Sequence, residues 1–141
     1  MKRWAFDKYG PFLEGTYCSD TAFHWRARSA GEVAWLIPTI RVAHTNISRF
    51  GRLVRKQVFH GRSFARVRIG QQNFTFARRL FYMLVSPLLP FLLFWRTARR
   101  VFLKGAYRPE FIRASPVVFC CLAAWSWGEL MGYVAGSRST K

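Results

Sequence analysis

The chain has 141 residues, enough for one small domain. Lys and Arg number 23 against 6 Asp and Glu, a formal charge of +17, yet 51% of the residues are hydrophobic and 18% aromatic. That apolar content excludes a disordered basic tail, and the self-repulsion of so much like charge argues against a simple soluble domain and for an anionic partner, here a membrane surface.

In chain order, residues 2–12 read as a short element closed by the Gly10-Pro11 turn. Ser19 and Asp20 are good N-cap residues for a helix over Thr21 to Ala30, stopped by Gly31. Val33 to Ile37 has strand composition and ends at Pro38, and Ile40 to Ala43 is a second extended piece leading to His44. Ser48 would cap a basic amphipathic helix through His60, with Phe50, Leu53, Val54 and Val58 on one face and Arg49, Arg52, Arg55 and Lys56 on the other.

Two apolar runs follow. Leu80 to Trp95 has sixteen residues. As a helix it would cover about 24 Å of a hydrocarbon core of about 30 Å. Pro87 and Pro90 would kink it, and arginines flank both ends, so a tilted, re-entrant or interfacial segment fits better than a straight span. Pro116 to Ala135 has twenty residues, the length of a span, with Trp125, Trp127 and Tyr133 gathered toward one end. Glu129 interrupts it; at mid-bilayer it would cost about 3 kcal/mol, and less near the boundary. Six basic residues lie between the runs, which disfavours sending that loop across the membrane and keeps the basic parts on the cytoplasmic face. The organisation expected is therefore residues 1–47, a basic juxtamembrane helix region over 48–79, and membrane-associated segments over 80–136. Residues 1–15 have no apolar core of the signal-peptide kind. Cys18, Cys120 and Cys121 form no disulfide framework and no CxxC pair, as expected of reduced thiols.

Several stretches stand in a telling order. Tyr9 to Phe12 is a turn followed by Glu14; Ser19-Asp20 opens a helix that carries Arg26 and closes at Gly31; then come Pro38 and His44, the run Gln57-Val-Phe-His-Gly-Arg62, and the set Trp125, Gly128-Glu129, Gly132-Tyr133, Gly136. This order resembles the acceptor-side and C-terminal parts of family 2 glycosyltransferases, inverting enzymes of the GT-A fold that use nucleotide-sugar donors. The resemblance covers nearly the whole chain. Two departures are plain: Ser19 stands where the family usually has Glu, and the donor half with its Asp-x-Asp metal motif has no counterpart, since Asp7 and Asp20 are the only aspartates. The implied fold is an α/β fragment, mostly helical: the acceptor half of a GT-A domain followed by amphipathic and membrane-associated or transmembrane helices, from a truncated or split enzyme.

The resemblance makes Asp20 the general base that deprotonates the acceptor hydroxyl; on local sequence alone Asp20 reads as a helix cap. It places Glu14 and Trp25 at the acceptor pocket, and Gln57, His60 and Arg62 at the donor diphosphate, where Arg suits phosphate by paired hydrogen bonds; otherwise those three belong to a solvated or lipid-facing basic helix. It gives His44 to a divalent metal, Mg or Mn, whose site would be incomplete without the Asp-x-Asp motif. The implied partners are a nucleotide sugar, an acceptor that is lipid-linked or embedded in the membrane, an anionic membrane and a chain supplying the donor half. The alternative is a non-enzymatic basic membrane protein or partner subunit. Nucleic acid fits worst, because the aromatics lie in the apolar runs and not between the basic residues.

Overall fold

The computed structural model describes residues 3–14, 16–35, 37, 39, 43 and 47–136. Helices α1 (Arg3–Tyr9) and α2 (Ser19–Ser29) form a small N-terminal lobe, followed by α3 (Phe50–Gln72), α4 (Phe76–Val85), a single 3-10 turn over Ser86–Leu88, α5 (Leu89–Lys104) and α6 (Arg108–Ala135). Phe6, Phe12 and Phe23 meet at ring separations of 5.1–5.5 Å and make the lobe's core, sealed by the buried Ala5, Cys18 and Ala22. Arg26 ties the lobe together by donating to the Pro11 carbonyl at 2.6 Å. The Tyr9 hydroxyl donates to Glu32, and Lys8 lies 3.4 Å from the same carboxylate, fastening the segment after α2 back onto α1.

The described residues contain no strand, so the α/β part of the sequence expectation is corrected. Val33, Trp35 and Ile37 have irregular backbone and are exposed. A strand-forming composition is not enough when no neighbouring strand is there to pair its N–H and C=O groups. Leu36, Pro38, residues 40–42 and His44 lie outside the described residues.

Helix boundaries also move for identifiable reasons. α2 begins one residue before Asp20, with Cys18 at the cap in a left-handed conformation and no side-chain cap bond. Asp20 therefore sits in the first turn, not at the cap. The expected stop at Gly31 holds: Ala30 and Gly31 donate back into the last turn of α2, and Gly31 takes φ +87°. α3 runs twelve residues beyond His60, ending where Asn73 adopts φ 46°. Gly61, just past the expected end at His60, lies in the helix interior at a backbone contact with α6. Where a kink is expected at Pro87 and Pro90, the first apolar run passes from α4 through the 3-10 turn directly into α5. The 3-10 turn absorbs Pro87, and Pro90 occupies the first turn of α5, where its missing N–H is harmless. The run is also longer than its apolar residues suggest, because Thr75 caps α4 by accepting from the Arg78 N–H at 3.3 Å and α5 continues to Lys104.

α6 is the central element. α3 lies along its C-terminal half, running in the same direction: Val58 meets Gly128, Gly61 meets Trp125 and Glu129, and Ala65 meets Gly132. α5 returns antiparallel along the N-terminal half, where Phe91 and Phe94 pack on Phe119 and Phe102 on Phe111. A side chain at Gly61 or Gly128 would overlap the carbonyl oxygen of Trp125 or Val58, and one at Gly132 would come 2.7 Å from the Arg62 carbonyl. The two backbones therefore touch, as in small-residue helix pairs. Arg79 closes the far end by donating to the carbonyls of Tyr133 and Val134, the last ones α6 cannot satisfy itself.

Gly61→Ala and Gly128→Ala should each lower thermal stability by more than about 2 kcal/mol, since the added methyl meets backbone that cannot turn aside. Gly70→Ala, in the same helix with nothing within 4 Å, should instead stabilise by about 0.5–1 kcal/mol. Helical unfolding followed by circular dichroism in detergent distinguishes the two directions.

Candidate functional site

α2 packs on α3, and of the residues singled out from the sequence Trp25 and His60 take part in that seam. Tyr17, just before α2, sets its ring 5.2 Å from Phe59 and 5.9 Å from His60. One helical turn on, Trp25 packs on Phe64 at 5.6 Å, and Phe64 on Trp125 of α6 at 5.3 Å. Aromatic contacts thus carry the lobe across α3 to the central helix. Asp20 is exposed on the first turn of α2. Glu14 is exposed in the loop before it.

Two clefts border the seam. Gln57 and His60 line one of about 540 Å³, with Leu53, Leu93, Val118 and Trp125 among its mainly carbon walls. It lies between α3, α5 and α6. Trp25 lines the other, of about 720 Å³, with Arg26, Arg28, Arg78, Gln71 and Gln72, and no acid among its lining residues. The structure therefore brings Gln57 and His60 to one cleft and Trp25 to the other. Arg62 lines neither; it is half-buried, with its backbone against Gly132. Among the described residues no three His, Cys, Asp or Glu side chains come together. These residues do not supply a donor set for Mg or Mn, and His44 lies outside them.

A second polar centre was not foreseen. Glu129 is 1% exposed on α6, and its Oε1 accepts from the Tyr133 hydroxyl at 2.8 Å and lies 3.8 Å from the Arg68 guanidinium of α3. Arg68 also donates to the Tyr133 hydroxyl at 3.2 Å and to the Tyr82 hydroxyl of α4 at 2.9 Å. Its guanidinium lies 4.2 Å from the Tyr82 ring centroid, and Phe74, Tyr82 and Tyr133 stack beside it. One arginine thus joins α3, α4 and α6. The sequence carried half of this signal: a lone acid in an apolar run requires a partner. Nothing local pointed to Arg68, because its partner lies 61 positions away.

The Cys18 thiol is buried under the lobe, and that burial, with the nearby Asp20 carboxylate as the lesser cause, pushes it up to about 11. At neutral pH it is a packed thiol and not a nucleophile.

Removing one member of the Arg68–Glu129 pair strands the other. Arg68→Met or Glu129→Gln should cost about 3–5 kcal/mol each, and the double variant clearly less than their sum, measured as a double-mutant cycle by thermal unfolding. For Cys18, the unfolded thiol ionises near 9 and the folded one near 11, so the unfolded state gains as pH rises between those values. Alkylation of Cys18 should lag that of the exposed Cys120 at pH 8 and catch up as the lobe loosens above pH 9, followed by mass spectrometry of peptides.

No protein-family model matches the chain, and neither a curated protein nor a solved structure is significantly similar to it.

Proposed function

We propose that the chain is the acceptor-side, membrane-docked portion of a glycosyltransferase of the family 2 type, which moves a sugar from a nucleotide-sugar donor to an acceptor hydroxyl with inversion. The observation that carries this reading is the adjacency of α2 and α3. Two stretches that motif order alone linked, one opened by Ser19-Asp20 and the other holding Gln57-Val-Phe-His-Gly-Arg62, pack side by side, with Tyr17 against His60.

In this reading Asp20 takes the proton of the acceptor hydroxyl as its oxygen attacks the anomeric carbon, and the bond from that carbon to the donor diphosphate breaks. Exposure of the carboxylate lets an incoming acceptor reach it. The apolar cleft beside His60 suits an acceptor that carries hydrocarbon and the arginine-lined cleft beside Trp25 suits phosphate, the reverse of the placement that the resemblance implies for Trp25 and for Gln57 and His60. The nucleotide and its divalent metal are held by other residues, on a longer chain or on a partner.

Membranes from cells producing the native protein, with the chains that accompany it, provide the test. They are incubated with labelled nucleotide sugars and the label in extracted acceptor is counted. Asp20→Asn should lower transfer by about 100-fold or more while leaving membrane attachment and thermal unfolding unchanged. Wild-type transfer by that variant removes Asp20 as the base. Absence of transfer by the unmodified protein with every nucleotide sugar favours the non-enzymatic membrane protein instead.

A further inference from the structure

The central pair of helices constrains how the chain can meet a bilayer. Two segments, Phe76–Lys104 and Arg108–Ala135, are long and apolar enough to cross one. Length and composition, however, take no account of what lies alongside. α3 and α6 run in the same direction in matched register. Leu53 and Val117 line the same cleft, Val58 meets Gly128, and Arg68 meets Tyr133. Arg52, Arg55 and Lys56, on the exposed side of α3, therefore lie beside the 117–125 stretch of α6. That stretch contains the midpoint of α6. Since Pro116 to Ala135 is the run that would span, an upright α6 would carry these three charges into the hydrocarbon, Arg55 and Lys56 nearest its middle, where Lys and Arg are among the least tolerated residues. α3 lies backbone to backbone on α6 at Gly61 and Gly128, and Arg68 ties it to Glu129 and Tyr133 of α6.

The opposite requirement comes from α4 and α5. Phe76, Leu80, Leu84, Leu88, Phe91 and Trp95 follow one another at spacings of three and four and are all exposed, an apolar stripe along one side of α4, the 3-10 turn and α5. Arg78, Arg96, Arg99, Arg100 and Lys104 flank it. Apolar side chains in a stripe with long cations at its borders are the pattern of a helix seated in a membrane interface, the cations reaching back to the headgroups. The net charge of +17 selects the anionic surface.

We propose that α4, α5 and α6 lie in the plane of one anionic leaflet, with the stripe from Phe76 to Trp95 sunk to the acyl boundary and the basic face of α3 at headgroup level, so that the chain crosses the bilayer nowhere between Phe50 and Gly136. This goes beyond the proposed function. It rests on membrane attachment and not on sugar transfer.

Sealed inverted vesicles from producing cells report the topology of the unmodified chain. Trypsin added outside should cut after both Lys56 and Lys104 without detergent. In a background with the three cysteines replaced by serine, Ala106→Cys and Val134→Cys should both react with a membrane-impermeant maleimide from that same side. Shielding of Lys104 and Ala106→Cys until detergent is added means a spanning hairpin and overturns the proposal. Shielding of Val134→Cys alone means that α6 crosses by itself and equally overturns it. Purified full chain should float with phosphatidylglycerol-containing vesicles and at least tenfold less with phosphatidylcholine vesicles. Failure to float with either removes membrane attachment itself, a result distinct from an absence of sugar transfer in the labelled-donor assay.

Discussion

Backbone contact between α3 and α6 is the constraint on which the rest of the structure depends. Gly61 and Gly128 each sit where a side chain would overlap a carbonyl of the facing helix, so the two helices approach as closely as main chains allow. That approach brings Arg68 within reach of Glu129 and Tyr133, and the pair in turn draws in Tyr82 and α4. It also gives α2 a platform, since Phe64 lies between Trp25 on one side and Trp125 on the other. The candidate site along the α2–α3 seam is thus held from below by a contact made of atoms that carry no chemistry of their own.

A buried ion pair is weak support for stability, because desolvation offsets much of the attraction. Its value here lies in register. Glycine-lined faces slide easily, and a ladder of small residues offers more than one alignment; a single acid that must meet a single arginine permits one. The stacked rings of Phe74, Tyr82 and Tyr133 then cover the charged groups from the apolar side.

How much of this could be read from the sequence depended on whether the cause was local. The end of α1 before Gly10, the stop at Gly31 and the 3-10 interruption at Pro87 were legible because φ, the missing N–H and the absent Cβ act at the residue itself. The extension of α3 from His60 to Gln72 was not, because it packs along α6, far away in sequence. The strand expected at 33–37 failed for the matching reason: its composition suited a sheet for which the described residues offer no other strand. Of the site, no local signal foretold the packing of Tyr17 and Trp25 on α3, and the split of Gln57, His60 and Trp25 between two clefts depends on where α5 and α6 pass.

The grip of Arg79 on the end of α6 has a consequence for variation. Its guanidinium holds the carbonyls of Tyr133 and Val134, atoms that every residue possesses. The latch is therefore blind to side-chain identity at the positions it clasps, and demands only that the helix reach that far. Residue 134, exposed to its surroundings, is free to drift among helix formers without loosening the end, while residue 133 is fixed separately by the hydroxyl it lends to Glu129. Two neighbouring positions held by the same arginine thus answer to different rules, one to chain length and the other to chemistry.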